Sequence, residues 1–242
     1  MQFQFPRLTP TVKKLLLLLG GAFVVLAIVQ NLASVPAFQW LALDLLGAPA
    51  ANYVNWLWQP LTYWLVYPPV PDALMSLAFT LVGIYFFLSP FEEAYGAKRT
   101  LQLSAVGVVT AVVPCLLLSF LVDAQHPIAG AAPIALAALG AFPVIARGRE
   151  ILFMFVLPMK SWTVILLGLG ISALMAVLAR DAYIFVEYAG ALGGGVAFAR
   201  WLIRPRTPTR PSGPFKKKRA GGPDLRVVRG GADDDDKPRW LN

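Results

Sequence analysis

The chain has 242 residues, of which 57% are apolar and only 14% charged, with a mean hydropathy of +0.64. Soluble domains carry about 25% charged residues, so there is too little polar surface to cover a globule in water, and the composition reads as one polytopic membrane domain. The single cysteine, Cys115, and the single histidine, His126, exclude a disulfide framework, a thiolate zinc site, a CxxC redox pair and any site needing two imidazoles.

A membrane-crossing helix needs about 20 mostly apolar residues. In chain order the candidates are Leu15–Val35, Ala73–Phe91, Thr100–Val122, Ile128–Ala146, Ser161–Ala179 and Ala182–Ala199, the last holding one carboxylate, Glu187. The first run lacks a small-residue cleavage motif and reads as a span rather than a cleaved leader. Between the first two lies Phe38–Val70, apolar but broken by prolines and by Asp44, Asn52 and Asn55. Its aromatics (Phe38, Trp40, Tyr53, Trp56, Trp58, Tyr63, Trp64 and Tyr67) suit the headgroup level, so the segment is expected to be a long interfacial external loop with short helices. Ile151–Leu157 is too short to span and is expected to be a second interfacial piece.

The net charge of +8 has meaning only through its placement. With six spans and a cytoplasmic N-terminus, every lysine and arginine except Arg180 falls on the inner side, as the positive-inside rule requires. A seventh span through Phe38–Val70 would put the basic tail opposite the N-terminus. The expectation is therefore six spans with both termini cytoplasmic, a layout suited to a bacterial plasma membrane.

The expected membrane domain covers residues 1–203. From Arg204 the composition changes to alternating prolines and cations, then Lys216-Lys217-Lys218-Arg219 and a glycine-rich stretch. Such a segment buries too little apolar area to offset chain entropy and is expected to be disordered over 204–242. Its basic cluster is expected at anionic lipid rather than nucleic acid, each cation gaining about 1 kcal/mol there. The run Asp233-Asp234-Asp235-Asp236-Lys237 spells an enterokinase-type sequence and reads as solvated acidic tail.

Several local patterns carry a resemblance. Trp58-Gln-Pro-Leu-Thr-Tyr63 is similar to a Trp-Arg-x-x-Thr-Tyr segment, with Gln59 in place of arginine. Phe91-Glu-Glu-Ala-Tyr-Gly96 is similar to a Leu-Glu-x-x-x-Gly exit from a second span. Gly130-Ala-Ala-Pro133 falls where Gly-x-Ser-Gly is usual, and Glu187-Tyr-Ala-Gly-Ala-Leu-Gly-Gly194 where His-x-Gly-Gly-x-x-x-Gly is usual. Together, over about Leu15 to Arg200, they resemble the rhomboid intramembrane serine proteases. The resemblance implies an all-α membrane fold, a six-transmembrane-helix rhomboid-like bundle with a long interfacial first external loop.

In rhomboids a serine attacks the scissile carbonyl while a histidine takes its proton. By the resemblance the serine position is Ala132, which has no nucleophilic atom, and the histidine position is Glu187. The His and Asn that help form the oxyanion site correspond to Ser76 and Thr80. Pro133 removes a backbone N–H that would help bind an oxyanion. Two other sets are formally available: Ser119 with His126 and Asp123, and Ser76 with Glu187. A carboxylate inside a span is costly and marks a site or a polar network; Glu187 is expected to face the interior and bond to Thr80, Ser76 or water. Small residues on the sixth span (Gly190, Ala191, Gly194, Gly195) and the fourth (Ala131, Ala135, Ala138, Gly140) are expected to let those helices approach closely.

The expectation is a catalytically inactive rhomboid-like protein with no cofactor or metal, which binds transmembrane segments of client proteins in quality control, trafficking or sequestration. A lateral opening between spans two and five would admit the client. The alternatives are an active rhomboid-type endopeptidase with a non-standard nucleophile, a small transporter, and a structural membrane protein. The client and the oligomeric state are left open.

Overall fold

The computed structural model describes residues 6–45, 57–122, 124, 126–145, 150–153 and 157–204. A helix lies under each of the six apolar segments: α1 (Pro10–Leu32), α4 (Ala73–Tyr95), α5 (Ala97–Leu118), α6 (Ala132–Ile145), α7 (Ser161–Ala179) and α8 (Ala182–Ile203), with short helices α2 (Ala37–Leu41) and α3 (Gln59–Thr62) between α1 and α4. Four of these, α1, α4, α5 and α8, are long and apolar enough to cross a membrane; α6 and the Ile165–Ala179 part of α7 are apolar but shorter. Large apolar side chains point outward on every long helix, among them Leu17, Ile28, Phe79, Leu117 and Val177. In water such a surface would be an aggregation liability; in lipid it is the solvated face.

Helix ends follow local chemistry rather than hydropathy. Helix α1 starts at Pro10, before the apolar run, because a proline at the first position gives up only an orphan N–H. It stops short of Val35 at Ser34, whose φ is +52°, two residues before Pro36. Helix α4 runs through Pro90 to Tyr95. Gly96 alone then joins it to α5, with φ 79° and ψ 166°, a region open essentially only to glycine. Helix α8 begins behind Asp181, whose side chain accepts the Tyr183 N–H at 2.9 Å.

Two expectations for the connections are corrected. Residues 150–153 and 157–160 pair as an antiparallel hairpin, Glu150–Phe153 with Leu157–Lys160, with Glu150 opposite Lys160, so the expected piece at Ile151–Leu157 is part of a strand pair. The 36–71 segment does not simply lie at the headgroups. Leu43 pairs with Ile128 as an isolated β-bridge, and Gln59, Tyr63, Val66 and Tyr67 are buried in the protein, while Trp40 and Trp58 stay exposed. Tyr53 and Trp56 lie outside the described residues, as does the tail beyond Arg204.

The relative directions of the helices are fixed by contacts at their ends. The Tyr183 hydroxyl donates to the Val122 carbonyl, while the Arg99 guanidinium sits 5.3 Å over the Trp201 ring, so α5 and α8 are antiparallel. Gly83 lies against Ala135 and Phe87 against Phe142, so α4 and α6 run the same way. Since α4 and α5 are antiparallel about Gly96, α6 and α8 are parallel. One end of the bundle thus carries Arg7, Lys13, Lys14, Lys98, Arg99, Arg200 and Arg204 and is called the basic end; the other carries the 36–71 segment and is called the loop end.

The centre is held by small residues. A Cβ at Gly195 would meet the Ala137 carbonyl and one at Gly140 the Leu192 carbonyl, so α6 and α8 touch backbone to backbone. Gly190 and Gly194 face α5 instead, against the Thr110 carbonyl and side chain, and Gly107 of α5 faces Ala137 and Pro133. The expected small faces exist, but the α8 stripe is split between two partners, and Ala135 serves α4 rather than α8.

Candidate functional site

At the loop end, α6 begins from a backbone bend. Gly130 has φ 108°, and its Cα lies against the Tyr67 ring, where a side chain would meet Cε1 at 3.4 Å. The segment before α4 reaches in to hold this bend. The Gly130 N–H donates to the Tyr63 carbonyl at 3.0 Å, and the Ala131 N–H donates to the Tyr67 hydroxyl at 3.2 Å. Tyr63 is fully buried and donates its own hydroxyl to the Val108 carbonyl of α5 at 3.1 Å. Ala132 and Pro133 open the helix directly after this anchor. Pro133 is buried there, at the tight α5 contact.

Glu187 lies in the second turn of α8, 8% exposed. No hydrogen bond joins its carboxylate to Thr80 or Ser76. The reason is geometric: the Thr80 hydroxyl donates to the Ser76 carbonyl one turn back on its own helix at 2.9 Å, and Ser76 is exposed while Thr80 and Glu187 are buried. The charge of Glu187 acts on Tyr63, whose phenol is pushed up first by burial, then by Glu187 and Cys115. Burial also pushes up the Tyr67 phenol, opposed by the Ala131 N–H that it accepts and by the neighbouring Thr80 hydroxyl. Thr80, Tyr67 and Ala131 therefore form one patch, and Tyr63, Cys115 and Glu187 the adjoining one. Ser76 belongs to neither.

In the other nucleophile set, the two described members, Ser119 and His126, are bonded elsewhere than to each other. The Ser119 hydroxyl donates to the Leu116 carbonyl at 2.8 Å, and His126, with its side chain 72% exposed, has Nδ1 3.8 Å from Asp181 Oδ2. Asp123 lies outside the described residues.

A family model described as the rhomboid domain matches residues 54–205. The chain belongs to the rhomboid family. A comparison with curated proteins yields no match. With its apolar helices, this rhomboid is an integral membrane protein in contact with lipid. The matched range takes in the loop residues Trp58 to Tyr67 and helices α4 to α8, and leaves α1 outside it.

Sequence reading missed the two tyrosines that organise the rhomboid site. It placed Tyr63 and Tyr67 with the headgroup aromatics, because a tyrosine in a proline-rich loop carries no mark of burial. A second residue was missed at the basic end. Glu92, buried near the end of α4, accepts the Thr11 N–H at 3.0 Å, the Val12 N–H at 2.9 Å and the Thr9 hydroxyl at 2.5 Å. It is the N-terminal cap of α1, which Thr9 does not cap itself.

Proposed function

We propose that this rhomboid has lost its peptidase chemistry and works by holding transmembrane segments of client proteins. The observation that carries this reading is the state of the first turn of α6. Ala132 offers no nucleophile, and its neighbours offer few donors: the Gly130 and Ala131 N–H groups are bonded to Tyr63 and Tyr67, and Pro133 has none. Backbone donors free to meet a developing oxyanion are a large part of acyl-transfer catalysis, and here the loop has taken two of them, at Gly130 and Ala131. The Ser76–Glu187 pair receives no support, because one member is exposed and the other buried.

In this reading six helices cross the membrane, with the basic end cytoplasmic as the positive-inside rule requires, in a bacterial plasma membrane, and residues 204–242 form a tail that meets anionic lipid. Helices α4 and α7 share little packing, since α7 rests mainly on α8. That leaves a side entrance for a client helix next to Ser76 and Thr80. Polar groups there, with Glu187 behind them, satisfy client backbone or side chains that lipid leaves unsatisfied. A carboxyl held inside a span costs stability and is retained here for that task.

The test pairs two assays. A photo-crosslinker at Ser76 captures transmembrane helices, and Glu187→Leu weakens capture several-fold while leaving the melting temperature unchanged or higher. Fluorophosphonate labelling of the unmodified protein that disappears in Ser76→Ala, or cleavage of a membrane-embedded peptide, overturns the reading.

A further inference from the structure

Helices α7 and α8 splay apart along one face and leave a groove of about 430 Å³ lined by Ile165, Leu169, Phe185, Leu192, Gly193 and Arg200, among others. It is apolar along its length and ends in a cation. Gly193 marks its floor: unlike Gly190, Gly194 and Gly195, it has nothing within 4 Å of where a Cβ would stand. The helix leaves this surface uncovered while every other side of the same glycine run is packed tight.

The dimensions select the occupant. From Phe185 to Arg200 the groove runs about 22 Å at 1.5 Å per residue, which exceeds the roughly 15 Å depth of one leaflet's hydrocarbon. Spread over that length, 430 Å³ makes a narrow, shallow channel. A polymethylene chain, with carbons touching at about 4 Å, fits.

The basic end supplies the rest. The Arg200 guanidinium lies 5.8 Å over the ring of Trp162, whose indole is half-exposed at the start of α7. Stacking uses the flat face of the guanidinium and leaves its N–H edge for an acceptor. No carboxylate pairs with Arg200 among the described residues. A headgroup phosphate matches its fork, and only where no choline cation offsets it is the phosphate charge left for the arginine; an arginine beside an interfacial tryptophan sits at headgroup depth.

We infer that the α7–α8 groove is a binding site for one anionic phospholipid, with an acyl tail along Gly193 and the headgroup phosphate on Arg200. The site is separate from the client entrance between α4 and α7 and from the basic cluster of the tail, so it stands or falls without either.

The test uses the full chain purified in mild detergent, offered phosphatidylglycerol or phosphatidylcholine and read by native mass spectrometry. The expected result is one retained phosphatidylglycerol per chain, favoured at least tenfold over phosphatidylcholine. Arg200→Gln reduces that preference to about twofold or less, and Gly193→Leu, whose Cβ has open space within 4 Å and whose branched end occupies the groove, removes retention of both lipids. A circular-dichroism melt confirms that each variant is folded. Replacing Lys216, Lys217, Lys218 and Arg219 by glutamine leaves the retained lipid in place. Equal retention of the two lipids by the unmodified protein, retention unaffected by Gly193→Leu, or loss of the lipid with the tail substitutions alone overturns the proposal.

Discussion

The Glu92 carboxylate of α4 accepts the Thr9 hydroxyl at 2.5 Å, together with the first two free N–H groups of α1. It thereby fixes the N-terminal helix to the bundle through a contact that spans 80 residues of sequence. The donors are orphan groups at the start of a helix, where an acidic oxygen meets both their hydrogen-bonding need and the helix dipole.

Glu92→Ala strips that cap and leaves buried N–H groups unsatisfied. Hydrogen bonds to a charged group are worth about 1.5–3 kcal/mol each way of counting. A loss of about 2 kcal/mol is expected, equal to a fall in melting temperature of roughly 4–8 °C for a chain of this size. Glu92→Gln, which keeps an acceptor oxygen, falls between Glu92→Ala and the unmodified protein. Thermal unfolding in detergent reads both.

The glycines of α8 separate by what faces them. Gly195→Ala drives a methyl into the Ala137 carbonyl and Gly190→Ala into that of Thr110, so the helices must part and the melting temperature drops. Gly193→Ala meets open space and gains the ordinary helix preference of alanine, about 0.5–1 kcal/mol. Opposite signs within three residues are the expected outcome of the same thermal measurement.

The buried tyrosines give a pH dependence. Tyr63 and Tyr67 both have phenols held above the ordinary value of 10, so above pH 10 the unfolded chain loses protons that the folded chain keeps. By linkage their contribution to stability is complete below pH 10 and declines as the pH rises past it. Denaturation of the unmodified protein should steepen above pH 10. Tyr67→Phe, despite losing the Ala131 bond and about 1 kcal/mol at neutral pH, should show a flatter alkaline limb.

Restoring the side chains of a peptidase is not expected to restore labelling. Ala132→Ser with Glu187→His supplies a nucleophile and a base, but Pro133 and Tyr67 still withhold backbone donors. The double variant should remain unlabelled by a fluorophosphonate, and labelling should emerge only when Pro133→Gly and Tyr67→Phe are added.

The apolar segments were legible because lipid imposes a length and a composition on a helix, and α7 lies where hydropathy puts it. The ends of α1 and α4 were not legible: α1 begins where a distant carboxylate meets it, and α4 continues through Pro90 because the next break in backbone geometry is Gly96. At the candidate site the composition of the first turn of α6 could be read from Gly130 to Pro133. The burial of Glu187 followed from its place in an apolar run. What holds that turn could not be read, since Tyr63 and Tyr67 reach it from a segment whose aromatics all look interfacial until the fold is known. Thr80 does not reach Glu187 for a local reason: a threonine in a helix satisfies its hydroxyl on the preceding turn, as Thr80 does on the Ser76 carbonyl.

Gly96 leaves no slack between α4 and α5. Two long apolar helices joined by a single residue cannot slide past each other along their axes, so Lys98 and Arg99, just beyond the turn, stay level with the end of α4 where Glu92 fastens α1.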